Sequence, residues 1–142
     1  MLRDIPTILS PDLLKIMQEM GHGDVLVLAD ANFPAATCAK RLVRQDGIEA
    51  TALLDAILRF FPLDIYVQKP AALMNPAPQD PTPEIWGQYE KIIKKWDKEE
   101  AFSDFELIDR MDFYEYAKNA YAIIQTGTTA KYANICITKG VL

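Results

Sequence analysis

The chain contains one histidine, His22, set between two glycines in "GHGD" at residues 21–24. An imidazole of ordinary pKa, about 6.5, both gives and takes a proton near neutrality, so this residue is a candidate general acid and base. Asp30 closes the apolar run "DVLVLAD" and offers an acceptor for hydroxyl or N–H donors. Arg110 closes a second run, "FELIDR", and carries a rigid fork of donors.

Each of the three also has a purely architectural reading. His22 suits a helix end, where a positive charge is favoured beside the last carbonyls. Asp30 suits the cap of its own turn, "DANFP". Arg110 suits a surface ion pair. Residue pattern alone leaves both readings open.

Other chemistries find fewer parts. Cys38 and Cys136 lie far apart and match no metal spacing, and a single histidine without Cys-x-x-Cys argues against zinc. No metal is expected. "TGTTAK" (126–131) lacks the G-x-x-x-x-G-K-[ST] spacing of a phosphate loop, and no G-x-G-x-x-G occurs. Ser10 is better used as a helix cap and Ser103 falls in a polar loop, so no serine triad assembles.

The elements that must position these residues follow from periodicity and punctuation. "SPDLLKIMQEM" (10–20) predicts a helix capped by Ser10, with Pro11 at its first position and Asp12 at the positive end of the dipole. Leu13, Leu14, Ile16, Met17 and Met20 form its buried stripe, and Gly21 is expected to supply a left-handed stop. "DVLVLAD" predicts a strand buried on both faces, as in a parallel sheet. Further helices are expected over 48–61, 83–100 and 111–120. Further strands are expected in "FELIDR", "YAIIQTG" and "YANICITKG", with "DIYVQKP" and "AALMNP" as short extended segments. The proline-rich stretch 75–83 reads as a surface loop in preference to a lid. Helices alternating with apolar strands predict one α/β domain over 1–142: a layered sandwich whose mostly parallel central sheet is flanked by helices. At ~3.3 Å per residue the two ends of the "DVLVLAD" run lie roughly 20 Å apart, which puts His22 at the opposite edge of the sheet from Asp30; either a loop folds His22 back, or a neighbouring subunit brings it to a shared pocket.

Bulk properties narrow the partners. The 142 residues carry 15 Lys+Arg against 20 Asp+Glu, a net charge of −5. No dense basic cluster is present, which argues against nucleic acid. The tightest group, Lys91, Lys94, Lys95 and Lys98, is interleaved with Glu90, Asp97, Glu99 and Glu100 and reads as a solvated helix face. The chain shows neither a secretory leader nor an apolar run of about 18 residues, and its two cysteines read as free thiols. A cytoplasmic protein with no membrane partner is expected.

Several blocks carry a resemblance. "LSPDLLKIMQEMGHGD", "ADANFPA" and "AKYANICITKGV" are similar to ordered signature blocks of the L-fucose mutarotase and D-ribose pyranase family, over essentially the full length. "FPLDIYVQKPAALM" and "DRMDFYEYAKNAYAII" resemble the fucose branch, with Arg110 where the ribose branch typically carries histidine. Asn32 stands where some fucose-type members have histidine.

The resemblance implies specific roles. His22 matches the proton-donating histidine, Asp30 and Arg110 match substrate-binding positions, and Tyr132, Ala133 and Asn134 match the sugar-binding segment "YAN". It implies a homo-oligomeric ring, often a decamer, with pockets near subunit boundaries, and an isomerase that uses no cofactor. The expected activity is exchange of the α and β anomers of L-fucose or a related monosaccharide. D-ribose pyranase activity and a non-catalytic sugar-binding oligomer are the alternatives. Tyr132 is expected either to donate to the anomeric oxygen or to stack on the ring.

Overall fold

The computed structural model describes residues 1–142. Its first half contains α1 (Pro11–Glu19), β1 (Val25–Ala29), α2 (Ala35–Cys38), β2 (Leu42–Gln45), α3 (Ala50–Leu58) and β3 (Ala71–Met74). Its second half contains α4 (Ile85–Trp96), β4 (Glu106–Ile108), α5 (Arg110–Asn119), β5 (Ala122–Thr126) and β6 (Ile135–Thr138).

The six strands form one sheet in the order β2-β5-β1-β6-β3-β4. The pairs β1–β5, β2–β5 and β3–β4 are parallel, while β6 runs antiparallel to both β1 and β3. Five strands therefore share one direction, as expected of a mostly parallel sheet. Both faces are covered, which explains why the strands read as continuous apolar runs. Leu26 and Leu28 point into a cluster with Leu13, Leu53 and Tyr89, from α1, α3 and α4. Val27 and Ala29, one residue out of phase, point into a second cluster with Ala35, Phe113 and Ala117, from α2 and α5. The alternation is the period of two of a β-strand, and it generates three layers.

Ser10 caps α1 as expected, its hydroxyl accepting the Leu13 N–H at 3.2 Å. Two expectations need correction. Gly21 does not supply a left-handed stop; Met20 ends α1 in extended geometry and Gly23 carries the positive φ of 85°. "DIYVQKP" (64–70) is not a strand: after a single bridge between the preceding Leu63 and Lys139, it bends over the surface. "YAIIQTG" and "YANICITKG" form strands as expected, and β1 lies between them in the sheet. Two short elements, α2 and β2, were not anticipated; at four residues each they are too brief to show a period. No helix is long and apolar enough to cross a membrane.

Candidate active site

The reversed direction of β6 builds the site. Leu28 of β1 stands opposite Ile135, so the residues preceding β6 lie beside those following β1, at the carboxyl edge of the parallel strands. Open α/β sheets bind ligands at that edge. The same reversal sends the residues after β6 to the other edge, where Val25 faces Thr138.

At the carboxyl edge Asp30 and Asn134 meet. The Asp30 N–H donates to Asn134 Oδ1 at 2.8 Å, and Asn134 Nδ2 donates to Asp30 Oδ2 at 3.0 Å. Asp30 Oδ1 also accepts the Asn32 N–H at 3.0 Å. The residue thus does cap its own turn, and it does so while lining a cavity. Burial raises the pKa of this carboxyl; the backbone N–H groups of Asn32, Ala133 and Phe33 and the Asn134 amide oppose that shift.

The cavity, about 260 Å³, is lined by Asp30, Asn32, Phe33, Met74, Asp80, Arg110, Tyr114, Lys131, Tyr132 and Asn134. It falls just below the roughly 300–1,000 Å³ of pockets for drug-sized molecules and suits a smaller polar one. Arg110 opens α5, and its Nε donates to Tyr114 Oη at 3.0 Å, one helical turn on. That bond to Tyr114 raises the pKa of the guanidinium further above its ordinary value, so the group is a permanent cation. Arg110 makes no ion pair with a carboxylate, unlike the surface reading of it.

Tyr132 occupies the left-handed region, φ 54°, which side chains other than glycine rarely adopt. The segment is pinned there by α4. Trp86 Nε1 donates to the Tyr132 carbonyl at 2.9 Å, and the buried Tyr89 donates its hydroxyl to the Ala133 carbonyl at 2.6 Å. Ala133 itself is buried and contributes through its backbone. A larger cavity, about 550 Å³, lies on the far side of Tyr132 and shares Asp80 and Lys131 with the first. The smaller one collects Asp30, Arg110, Tyr132 and Asn134 and is the candidate site.

His22 is not in that cavity. It lies at the opposite edge of the sheet, with its Nε2 3.0 Å from Asp64 Oδ1 and its ring centroid 5.4 Å from that of Tyr66. Its side chain is 46% exposed, whereas that of Asp64 is 3% exposed. The helix-end reading fails too: the carbonyls of Met17 and Met20 are taken by Lys139 Nζ, at 2.7 and 2.6 Å. The residues after β6 hold the pair together. The Gly23 N–H donates to the Lys139 carbonyl, and the Asp64 N–H donates to that of Thr138. Gly140 lies so close to the Leu63 backbone that a Cβ would overlap it.

Asp64, Asp80, Tyr114 and Lys131 were not singled out from the sequence. Asp80 sits in the proline-rich loop, where a lone carboxylate carries no spacing signal, and Asp64 becomes visible only beside His22. Neither cysteine takes part. Burial pushes the Cys136 thiol strongly upward in pKa, so it stays protonated in the core.

Residues 3–142 match the model of the RbsD / FucU transport protein family. The chain is similar to the fucose mutarotase of Homo sapiens, 44% identical over 149 residues that take in 99% of this chain and 94% of that protein. It is also similar to the fucose mutarotase of Streptococcus pneumoniae, whose crystal structure is a complex with L-fucose, at 48% identity and a TM-score of 0.92 over 99% of each chain. Bacillus subtilis RbsD, complexed with D-ribose, aligns with a TM-score of 0.69 at 22% identity over 94% of this chain and 95% of that one, a likeness of fold alone.

Proposed function

The chain belongs to the RbsD / FucU transport protein family, and from that premise we propose that it is a sugar mutarotase that interconverts the α and β anomers of L-fucose. One observation carries the reading: three separate segments bring Asp30, Arg110, Tyr132 and Asn134 into a single small polar cavity at the strand ends. Carboxylate, guanidinium, phenol and amide together match the alternating donors and acceptors of a polyhydroxylated ring.

Mutarotation breaks the C1–O5 bond and remakes it. The anomeric hydroxyl loses its proton, the ring oxygen gains one, and the ring opens to an aldehyde. Rotation about C1–C2 presents the other carbonyl face, and closure returns both protons. No electrons are lost or gained, so an acid–base group suffices, and a positioned one contributes typically ~10²–10⁴-fold. In this reading His22 is that group, Asp30 accepts sugar hydroxyls, and Arg110 and Asn134 fix the others.

His22 reaches such a sugar only from another copy of the chain. The surface around it supports self-association: Ile65, Tyr66 and Val67, next to Asp64, are 52%, 71% and 40% exposed. An exposed apolar group of this kind, beside a half-exposed imidazole, suits an interface that a homo-oligomeric ring such as a decamer would bury. The buried free thiols suit a reducing compartment, in keeping with the cytoplasm.

The test is anomer exchange followed by saturation-transfer NMR on L-fucose, galactose, ribose and glucose. Acceleration greatest for L-fucose is expected. Preference for ribose would instead favour a pyranase, and saturable binding without acceleration would favour a sugar-binding oligomer.

A further inference from the structure

The proline-rich loop between β3 and α4 does more than connect them. Within it, Asp80 Oδ2 accepts the Tyr132 hydroxyl at 2.6 Å, and the Ala77 N–H donates to the same phenol oxygen at 3.2 Å. A phenol has one hydrogen to give, and its oxygen also accepts. Asp80, as a carboxylate, only accepts, so it takes the hydrogen, and Ala77 donates to the oxygen. Tyr132 thus has no hydrogen left to give, on a side chain whose backbone is already fixed by Trp86.

We propose that Asp80 is a positioning residue that turns Tyr132 into an obligate hydrogen-bond acceptor for the sugar. This rests on the sugar-site reading above. It selects between donation and acceptance at Tyr132: with its hydrogen committed to Asp80, the phenol receives a hydrogen from a sugar hydroxyl and gives none. The bond also stands between two cavities, since Asp80 and Tyr132 line both, so the same pair fixes the wall against which the ring rests. Bonds to a charged acceptor are the strong ones, and 2.6 Å lies in the short range for O–H···O⁻. The charge on Asp80, and not only its shape, is therefore needed.

The experiment uses the full chain and two readouts, L-fucose affinity by NMR titration and anomer exchange. Asp80→Asn keeps the shape and removes the charge; it is expected to weaken affinity roughly 10- to 100-fold, the span of a lost charge-assisted bond. Asp80→Glu is expected to restore part of the loss. In a Tyr132→Phe background, Asp80→Asn should add less than about twofold, because the pair acts as one unit. Losses that multiply would mean that Asp80 supports the loop without acting through Tyr132, and would overturn the proposal.

A second measurement needs no Asp80 variant. Each hydroxyl of L-fucose is replaced in turn by hydrogen and by fluorine, which does not donate. At the position facing Tyr132, fluorine and hydrogen should weaken binding to the wild-type chain equally, and Tyr132→Phe should erase that sensitivity. Retained affinity for the fluorinated sugar would mean that Tyr132 donates, and the proposal would fall. A wild-type chain that binds L-fucose without accelerating exchange defeats the mutarotase reading and leaves these affinity comparisons decisive for Asp80. A chain that neither binds nor exchanges the sugar defeats both.

Discussion

Asp30 and Asn134, 104 positions apart in sequence, exchange two hydrogen bonds across the junction of β1 and β6. The exchange fixes the amide in one orientation, with its oxygen on the Asp30 N–H and its nitrogen on the Asp30 carboxylate. One N–H of the amide is left for a ligand. Asn134→Asp replaces that donor with an acceptor and sets a second carboxylate against the first. The expected result is a loss of L-fucose affinity of about tenfold or more and destabilisation of about 1–3 kcal/mol, the range for a broken buried hydrogen bond. NMR titration and thermal unfolding check both. Wild-type affinity in the variant would remove Asn134 from the site.

The Asp30 carboxyl gives a pH signature. Burial, the largest influence, raises its pKa above the ordinary 3.8. The native chain therefore holds this proton more tightly than the unfolded chain does. Its contribution to stability is greatest in acid, below the unfolded value, and is lost as pH rises through the native value. Sugar binding runs the opposite way, because a hydroxyl donor needs the ionised acceptor. Affinity for L-fucose is expected to fall on acidification, beginning above pH 3.8. In Asp30→Asn that step should vanish and affinity should be lower throughout. Titrations from about pH 7 down to about pH 3 cross the ordinary carboxylate range and the region above it, and measure it. A flat wild-type profile would show that ionised Asp30 is not needed.

Much of this arrangement is legible in the sequence, for identifiable reasons. The unbroken apolar run "VLVLA" announces a strand covered on both faces, and it places Asp30 at a strand end without any tertiary information. The alternation of helices and strands announces the layers. Sheet order is another matter: nothing local in "YANICITKG" says that β6 runs against its neighbours, yet that reversal is what brings Asn134 to Asp30. Asp80 and Asp64 are illegible for a similar reason. Each works through one partner far away in sequence, Tyr132 and His22, and neither pair has a period or a spacing. Gly140 is required by the close Leu63 backbone, a contact invisible until the chain is folded.

His22 and Asp64 make a second prediction pair. A carboxylate only accepts, so the bond at 3.0 Å places the hydrogen on Nε2 and leaves Nδ1 of the neutral ring as the bare nitrogen. Asp64 is itself fixed by accepting the Tyr66 N–H at 3.0 Å. Asp64→Asn should redistribute the tautomers and slow anomer exchange about 10-fold or more, while His22→Ala slows it by the ~10²–10⁴-fold of a lost acid–base group. L-fucose affinity should change less than exchange in both. Because the chain has one histidine, long-range ¹H–¹⁵N spectra report this ring alone. An unchanged tautomer and rate in Asp64→Asn would remove Asp64 from the mechanism.

The separation of His22 from the cavity leads to the sharpest test of assembly. If one copy supplies the imidazole and another the cavity, two different lesions are complementary. His22→Ala spoils the donor of the acid–base group and keeps the cavity; Arg110→Ala spoils the cavity and keeps the imidazole. Each variant alone should be inactive in L-fucose exchange. Mixed in equal amounts, unfolded and reassembled, they should recover roughly a quarter of wild-type activity, the chance that a site at a subunit boundary draws an intact residue from both sides. Mixing without subunit exchange should recover nothing, which controls for contamination. Tyr66→Asp adds an independent arm: a charge in the exposed group beside Asp64 should yield smaller particles in analytical ultracentrifugation and lose exchange together. Activity in a dissociated single chain, or no recovery in a mixture shown to contain both variants in one particle, would mean that His22 does not serve a neighbour's cavity.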